Sequence, residues 1–142
     1  MPTKWEFTKQ TKAPPPKVIE YFMHPENLPK LHPDFVKQVT IKGAEGDTIT
    51  FEQQMEMMKR RIVSQNKLTL DRQSNRIVIS TFEGDGNGSR ITMALKELPG
   101  GGTEVGYIAE MELGPLGMFA KGPARSAMER VAAEDAKNLD AL

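Results

Sequence analysis

The sequence predicts an α+β fold: one strand, two short helices, a six-stranded antiparallel meander and a long C-terminal helix. Three observations carry this. Val105, Tyr107, Ala109, Met111 and Leu113 alternate with Glu104, Glu110 and Glu112, the period of a strand with one apolar and one wet face. Glycine-, asparagine- and proline-rich breaks recur between such runs at short intervals, as antiparallel hairpins require. Beyond residue 116 the period changes to that of a helix, with Ala124, Ala127, Met128, Val131 and Leu139 on one face.

In chain order, residues 3–12 (TKWEFTKQTK) place Trp5 and Phe7 on one side of a first strand. The PPP at 14–16 breaks it and suits a helix's first turn, where the missing N–H has no intrahelical partner. Val18, Ile19 and Phe22 form the apolar stripe of that helix, and Pro25 ends it. A second helical piece, PENLPKLH, is closed by Pro33. Strands follow near 35–43, 48–57, 60–71, 76–84, 89–98 and 103–113. The break within EMMKRR has no Gly, Pro or Asn, so one bent strand is the alternative there. In the last helix Pro123 either kinks the helix or begins its regular part. Arg125–Glu129 and Arg130–Glu134 are spaced as i,i+4 pairs, each worth a few tenths of a kcal/mol.

Composition excludes several classes. A chain of 142 residues is read as one domain, 1–142. There is no cysteine, hence no disulfide, thiolate metal site or cysteine nucleophile. Nineteen basic residues balance nineteen acidic ones, so no global field attracts nucleic acid or anionic lipid. No run is long and apolar enough to cross a membrane, no secretory h-region is present, and the cytoplasm is the default compartment. GDGNG at 84–88 and GGG at 100–102 read as hairpin turns, because neither has a phosphate-loop pattern between strand and helix. KRR at 59–61, with Lys67, Arg72 and Arg76, lacks the interleaved aromatics of a nucleic-acid platform and reads as solvated sheet surface. Neither a cofactor nor a metal is called for: His24 and His32, each before a proline, lack ligand spacing and read as helix terminators or, alternatively, a general-base pair.

The order of elements resembles the helix-grip fold of the START-like, or SRPBCC, superfamily, which includes lipid-transfer domains and polyketide cyclase/dehydrase relatives. The resemblance rests on APPPKVIEYFMHPENLPKLHPDF (13–35), FEGDGNGSRITMALKELPGGGTEVGY (82–107) and MELGPLGMF (111–119), and spans nearly the whole chain. It implies a curved sheet of about seven strands wrapped around the C-terminal helix, with an apolar cavity between them reached near the short helices. Small residues on that helix, Gly117, Ala120, Ala124 and Ala127, agree with such room, since emptied core space is costly and is expected to be filled. The filler is either a ligand or sheet aromatics such as Phe51, Phe82 and Tyr107.

The expected function is binding of an apolar or amphipathic small molecule, lipid-like, polyketide-like or isoprenoid-like. Its lining would be Tyr107, Ala109, Met111, Met93, Phe119, Ala124, Ala127 and Met128, with adaptable thioethers suiting a greasy ligand. Gln53, Ser64, Asn66 and Thr81 are further polar candidates that depend on strand register. By resemblance, a cyclase/dehydrase-type enzyme is the alternative, with Tyr107, His32 and Asp34 as acid or base groups. A protein-interaction module is the third; homo-oligomerisation and protein partners are not readable. No catalytic residue is assigned.

Overall fold

The computed structural model describes the backbone of residues 3–57, 59–114 and 117–142, and side chains over those residues except 57 and 117–120. Seven strands, β1 (Thr3–Thr11), β2 (Val36–Glu45), β3 (Thr48–Met57), β4 (Arg60–Asp71), β5 (Arg76–Gly84), β6 (Arg90–Glu97) and β7 (Thr103–Met111), form one antiparallel sheet. Its order is β1-β7-β6-β5-β4-β3-β2, so a meander from β2 to β7 is completed by the first strand adding beside the last. Between β1 and β2 lie α1 (Pro15–Phe22), a 3-10 turn (Pro25–Asn27) and α2 (Leu28–Leu31). The long helix α3 (Gly117–Asp140) closes the chain. This is the architecture expected from the order of elements.

Local sequence explains most boundaries. Pro14 is extended (φ −71°, ψ 157°) and Pro15 opens α1, where a missing N–H breaks no helical bond. The hairpin between β3 and β4 closes by pairing Met57 with Arg60, so two strands rather than one bent strand occupy residues 48–71. Its turn holds Lys59 at φ +63°, a conformation that carries no composition signal when a lysine adopts it. β2 runs to Glu45, two residues beyond expectation, while β7 ends at Met111, two short of it. Bulges between Val36 and Gln38, Ile41 and Gly43, and Gln65 and Asn66 bend their strands. Gly84 sits at φ +86° with the Val63 carbonyl against its α-carbon, so no side chain fits beside the third bulge. Pro123 lies inside α3 rather than at its start.

Two apolar clusters hold the layers together. In the larger, Val18 of α1 and Ala132 and Leu139 of α3 meet Phe51, Leu68, Leu70, Ile77, Met93, Leu95, Val105 and Tyr107 of the sheet. Phe7 stacks on Tyr107 with ring centroids 4.9 Å apart. In the smaller, Trp5 packs with Ala109 and Ala124, flanked by Ile91, Met111, Leu113 and Met128. The indole therefore occupies the room left by the alanines of sheet and helix at this end. Of the aromatics expected to fill such room, Phe51 and Tyr107 are buried in the main core, but Phe82 points outward and is 47% exposed.

One expected ion pair is rearranged. Arg125 meets Glu129 at 3.3 Å as the spacing predicts. Arg130 instead reaches Asp34 at 2.7 Å and lies over the Phe35 ring, 5.2 Å from its centroid. Glu134 turns inward toward His32. Helix spacing alone favoured the local pair, but a tertiary partner on the short-helix segment outcompetes it.

Candidate functional site

A cavity of about 40 Å³ lies beneath the short helices. Phe22 of α1 and Leu28 and Leu31 of α2 form its roof, and Phe51, Leu68 and Ile79 of β3–β5 its floor. Tyr21, His24 and Pro25 line it too, and Asp135 is the residue that α3 contributes. Alternation places Phe51 and Leu68 on the inner face of their strands, and the short helices connect the two edge strands, β1 and β2, across that face.

Two residues of the lining, Tyr21 and Asp135, belong to a hydrogen-bonded network that joins three elements. Asp135 Oδ1 accepts a bond from the Tyr21 hydroxyl at 2.6 Å and pairs with His32 Nε2 at 2.7 Å. Asn138 Nδ2 donates to the Tyr21 oxygen at 3.1 Å, and His32 Nδ1 lies 3.4 Å from Glu134 Oε1. His32 is only 1% exposed and Asp135 6%. Burial alone would lower the His32 pKa, but the hydrogen bond and charge of Asp135, then those of Glu134, outweigh it and raise the pKa above 6.5. Burial, then the charge of Asp135, pushes the Tyr21 hydroxyl far above its usual value, so it keeps its proton. Burial does the same to Tyr107, with smaller contributions from Asp135 and Tyr21.

The residues expected to line a site divide between the two clusters. Met93 and Tyr107 are buried in the main core beside Phe51 and Leu68. Ala109 and Ala124, with Met111 and Met128 against them, belong to the cluster around Trp5. Ala127 is half-buried, and the Phe119 side chain lies outside the described residues, as do those of Gly117, Ala120, Met57, Met58 and Met118. Among the described residues, none of the expected eight lines the 40 Å³ cavity. Of the polar candidates, Ser64, Asn66 and Thr81 bond one another: Asn66 Nδ2 donates to Ser64 Oγ at 3.0 Å and Thr81 Oγ1 to Asn66 Oδ1 at 2.7 Å. Gln53, opposite Ser64, is half-buried. His32 is more than a helix terminator, since both ring nitrogens are engaged. His24 bonds Glu26 at 2.9 Å and stays exposed, and Asp34 is an exposed partner of Arg130.

Asp135 and Tyr21 are the site residues that sequence reasoning passed over. A signal existed. Asp135 stands four residues after Val131 and four before Leu139, an acid interrupting the apolar stripe of α3. A charge in such a stripe needs a buried partner.

The family model described as polyketide cyclase/dehydrase and lipid transport matches residues 2–142. The chain belongs to this family. Solved structures share the cyclase/dehydrase and lipid-transport family's helix-grip fold with it at low identity. A START superfamily protein from Mycobacterium smegmatis superposes with a TM-score of 0.81 at 16% identity, covering 96% of this chain and 97% of that one. A Thermus thermophilus protein gives 0.80 at 18% identity, covering 97% and 94%. The Zhui aromatase/cyclase from Streptomyces sp. R1128 gives 0.80 at 14% identity, covering 99% and 93%. Among curated protein sequences, none matches the chain. Consistent with the family, no helix among the described residues is long and apolar enough to cross a membrane.

Proposed function

We propose that the protein binds an apolar or amphipathic small molecule between the sheet, the short helices and α3, acting in the cytoplasm. The observation that carries this reading is the cavity beneath α1 and α2, walled by Phe22, Leu28, Leu31, Phe51, Leu68 and Ile79, with the hydrogen-bonded Tyr21 and Asp135 also in its lining. Its volume of about 40 Å³ exceeds the roughly 10–15 Å³ that one water needs. It is well below the roughly 300–1,000 Å³ of an ordinary ligand pocket. Binding of a lipid-sized body therefore requires the roof to lift. That roof is two short helices, of eight and four residues against the twenty-four of α3. As it lifts, Met93 and Tyr107 are the expected deep wall, being continuous with Phe51 and Leu68. The cluster around Trp5, with Ala109, Met111, Ala124 and Met128, would bound the site on its far side.

The test is native mass spectrometry of the protein purified without detergent, followed by denaturing extraction of any released molecule. A stoichiometric apolar adduct is expected, and removing it should lower the melting temperature, because a ligand that binds only the folded state stabilises it. An unchanged melting temperature after removal of a verified occupant would overturn the reading.

A second reading, an enzyme of the cyclase/dehydrase type, draws on the Tyr21–Asp135–His32 network at the cavity wall, a buried and pKa-shifted cluster of the kind found at proton-transfer sites. Asp34 drops out of that reading, since it faces solvent and Arg130. Turnover of a candidate substrate that survives Asp135→Asn would count against it. For the interaction-module reading, the large exposed apolar side chains among the described residues are Ile41 on β2, Phe82 on β5 and Leu142 after α3.

A further inference from the structure

The segment that roofs the cavity is weakly held by its own structure. Of its residues α1 buries Val18 and α2 none, and neither helix has a side-chain cap at its N-terminus. The cavity beneath removes part of the apolar contact that would otherwise hold the segment down. What fastens it to α3 is a seam of side chains. Tyr21 and His32 meet Asp135 at 2.6 and 2.7 Å, and Asn138 meets Tyr21 at 3.1 Å. His32 Nδ1 faces Glu134 at 3.4 Å, and Arg130 meets Asp34 at 2.7 Å. Tyr21 keeps its proton and Arg130 its charge through neutral pH, so His32 is the member of this seam that changes state there.

Both ring nitrogens of His32 face carboxylate oxygens, which when ionised only accept hydrogen bonds. A doubly protonated ring satisfies both. A neutral ring carries one N–H, so its other nitrogen turns a lone pair toward an oxygen, and the ring is only 1% exposed to water that could relieve this. Around this contact stand Tyr21 of α1 and Tyr107 of β7, both protonated, and Lys37 of β2, which donates to the Pro33 carbonyl at 2.9 Å. We propose that the short-helix segment, residues 15–32, is a lid latched to α3 by doubly protonated His32, and that loss of one ring proton releases it. The consequence for ligand entry, easier access as pH rises, rests on the small-molecule reading above. The latch itself is a property of the chain without ligand.

The test is amide hydrogen exchange of the full chain, read as protection factors so that the intrinsic pH dependence of exchange is divided out. The Met23, His32 and Val36 amides, bonded to the Ile19, Leu28 and His32 carbonyls, report the lid, and Leu68, Ile77 and Met93 report the sheet. Lid protection is expected to lie below that of the sheet, as a local opening requires. It should fall roughly tenfold as pH rises above about 6.5, the effect of losing one hydrogen bond to a charged group. In Glu134→Gln the new amide donates to Nδ1, a ring protonated only on Nε2 satisfies both contacts, and the fall should shrink severalfold. Lid amides protected as strongly as the sheet at every pH would show that the segment is released only by global unfolding, and would overturn the proposal. So would lid protection that does not change with pH, or an undiminished fall in Glu134→Gln. The wild-type profile alone decides if that variant does not fold. Whether a small molecule binds is read separately, by the extraction described above, so either idea can fail without the other.

Discussion

His32 Nε2 lies 2.7 Å from Asp135 Oδ1, joining the end of α2 to the last third of α3 across 103 positions of chain. Around this contact, Arg130, Glu134, Asp135 and Asn138 recur on one face of α3 and meet Asp34, His32 and Tyr21 of the short-helix segment. The roof of the cavity is therefore fastened to α3 by polar groups, while its underside stays apolar. Such an arrangement positions a segment firmly yet leaves it separable, because polar contacts can be replaced by water when the segment lifts.

Breaking the buried pair should be costly. Asp135→Ala leaves an imidazole and a phenol buried without their acceptor, and removing one partner of a buried ion pair costs about 3–5 kcal/mol. Urea denaturation should show a midpoint lowered accordingly at constant slope. A loss under about 1 kcal/mol would mean that water already satisfies the network.

The same contact makes stability depend on pH. The folded pKa of His32 is raised above 6.5, so its contribution is fully present below about pH 6.5 and is lost as pH rises through the folded value. The groups facing the ring are Asp135 and Glu134, with Tyr21 protonated throughout this window. Urea midpoints should therefore fall as pH rises above about 6.5 in wild type. In His32→Gln that decline should vanish, whereas an unchanged decline would place its origin elsewhere.

Trp5 should be the most sensitive residue of the smaller cluster. Trp5→Ala opens a cavity against Ala109 and Ala124 and should cost about 3–5 kcal/mol. Ala124→Leu alone overpacks the site and should cost about 1–3 kcal/mol. In the double variant the leucine enters the vacated space, so a double-mutant cycle should give a favourable coupling. Strict additivity would show that the two side chains do not share this space.

Asp140 ties the end of α3 to the β1–α1 corner, accepting the Thr11 hydroxyl and the Lys12 backbone N–H, each at 2.7 Å. The Lys12 amide, then the Thr11 hydroxyl, hold its pKa below 3.8. Its contribution is thus present above about pH 3.8 and is lost as pH falls through the folded value. Asp140→Asn should speed amide hydrogen exchange over the last turn of α3 and flatten the acid limb of the stability profile. Unchanged exchange at Lys137 and Leu139 would show that apolar packing alone holds that turn.

Much of the fold was legible because it follows from local chemistry. β3, β4 and β5 fall on the bounds that alternation and turn residues indicate, and Val105, Tyr107 and Ala109 are buried as their spacing requires. The hairpin at Lys59 was the ambiguous point, since its positive φ is imposed by the pairing of Met57 with Arg60 and not by residue type. The site was less legible. Alternation placed Tyr107 and Met93 in the core, but neither lines the cavity, whose wall includes Tyr21, Phe22, Leu28 and Leu31 on helices too short for a periodic pattern to place.

By itself, the sequence determined the order of strands and helices, the buried face of β7, and that α3 brings the small Ala124 into the core. Those properties depend on neighbours within a few positions along the chain. Only the tertiary structure decided that Trp5 fills the space beside Ala124, that Arg130 prefers Asp34 to Glu134, and that Asp135 holds His32 and Tyr21 at the cavity wall. Each of these joins side chains roughly a hundred positions apart. Such pairings arise when packing removes groups from water, and the partner that best compensates this desolvation is set by three-dimensional proximity, which spacing along the chain does not encode.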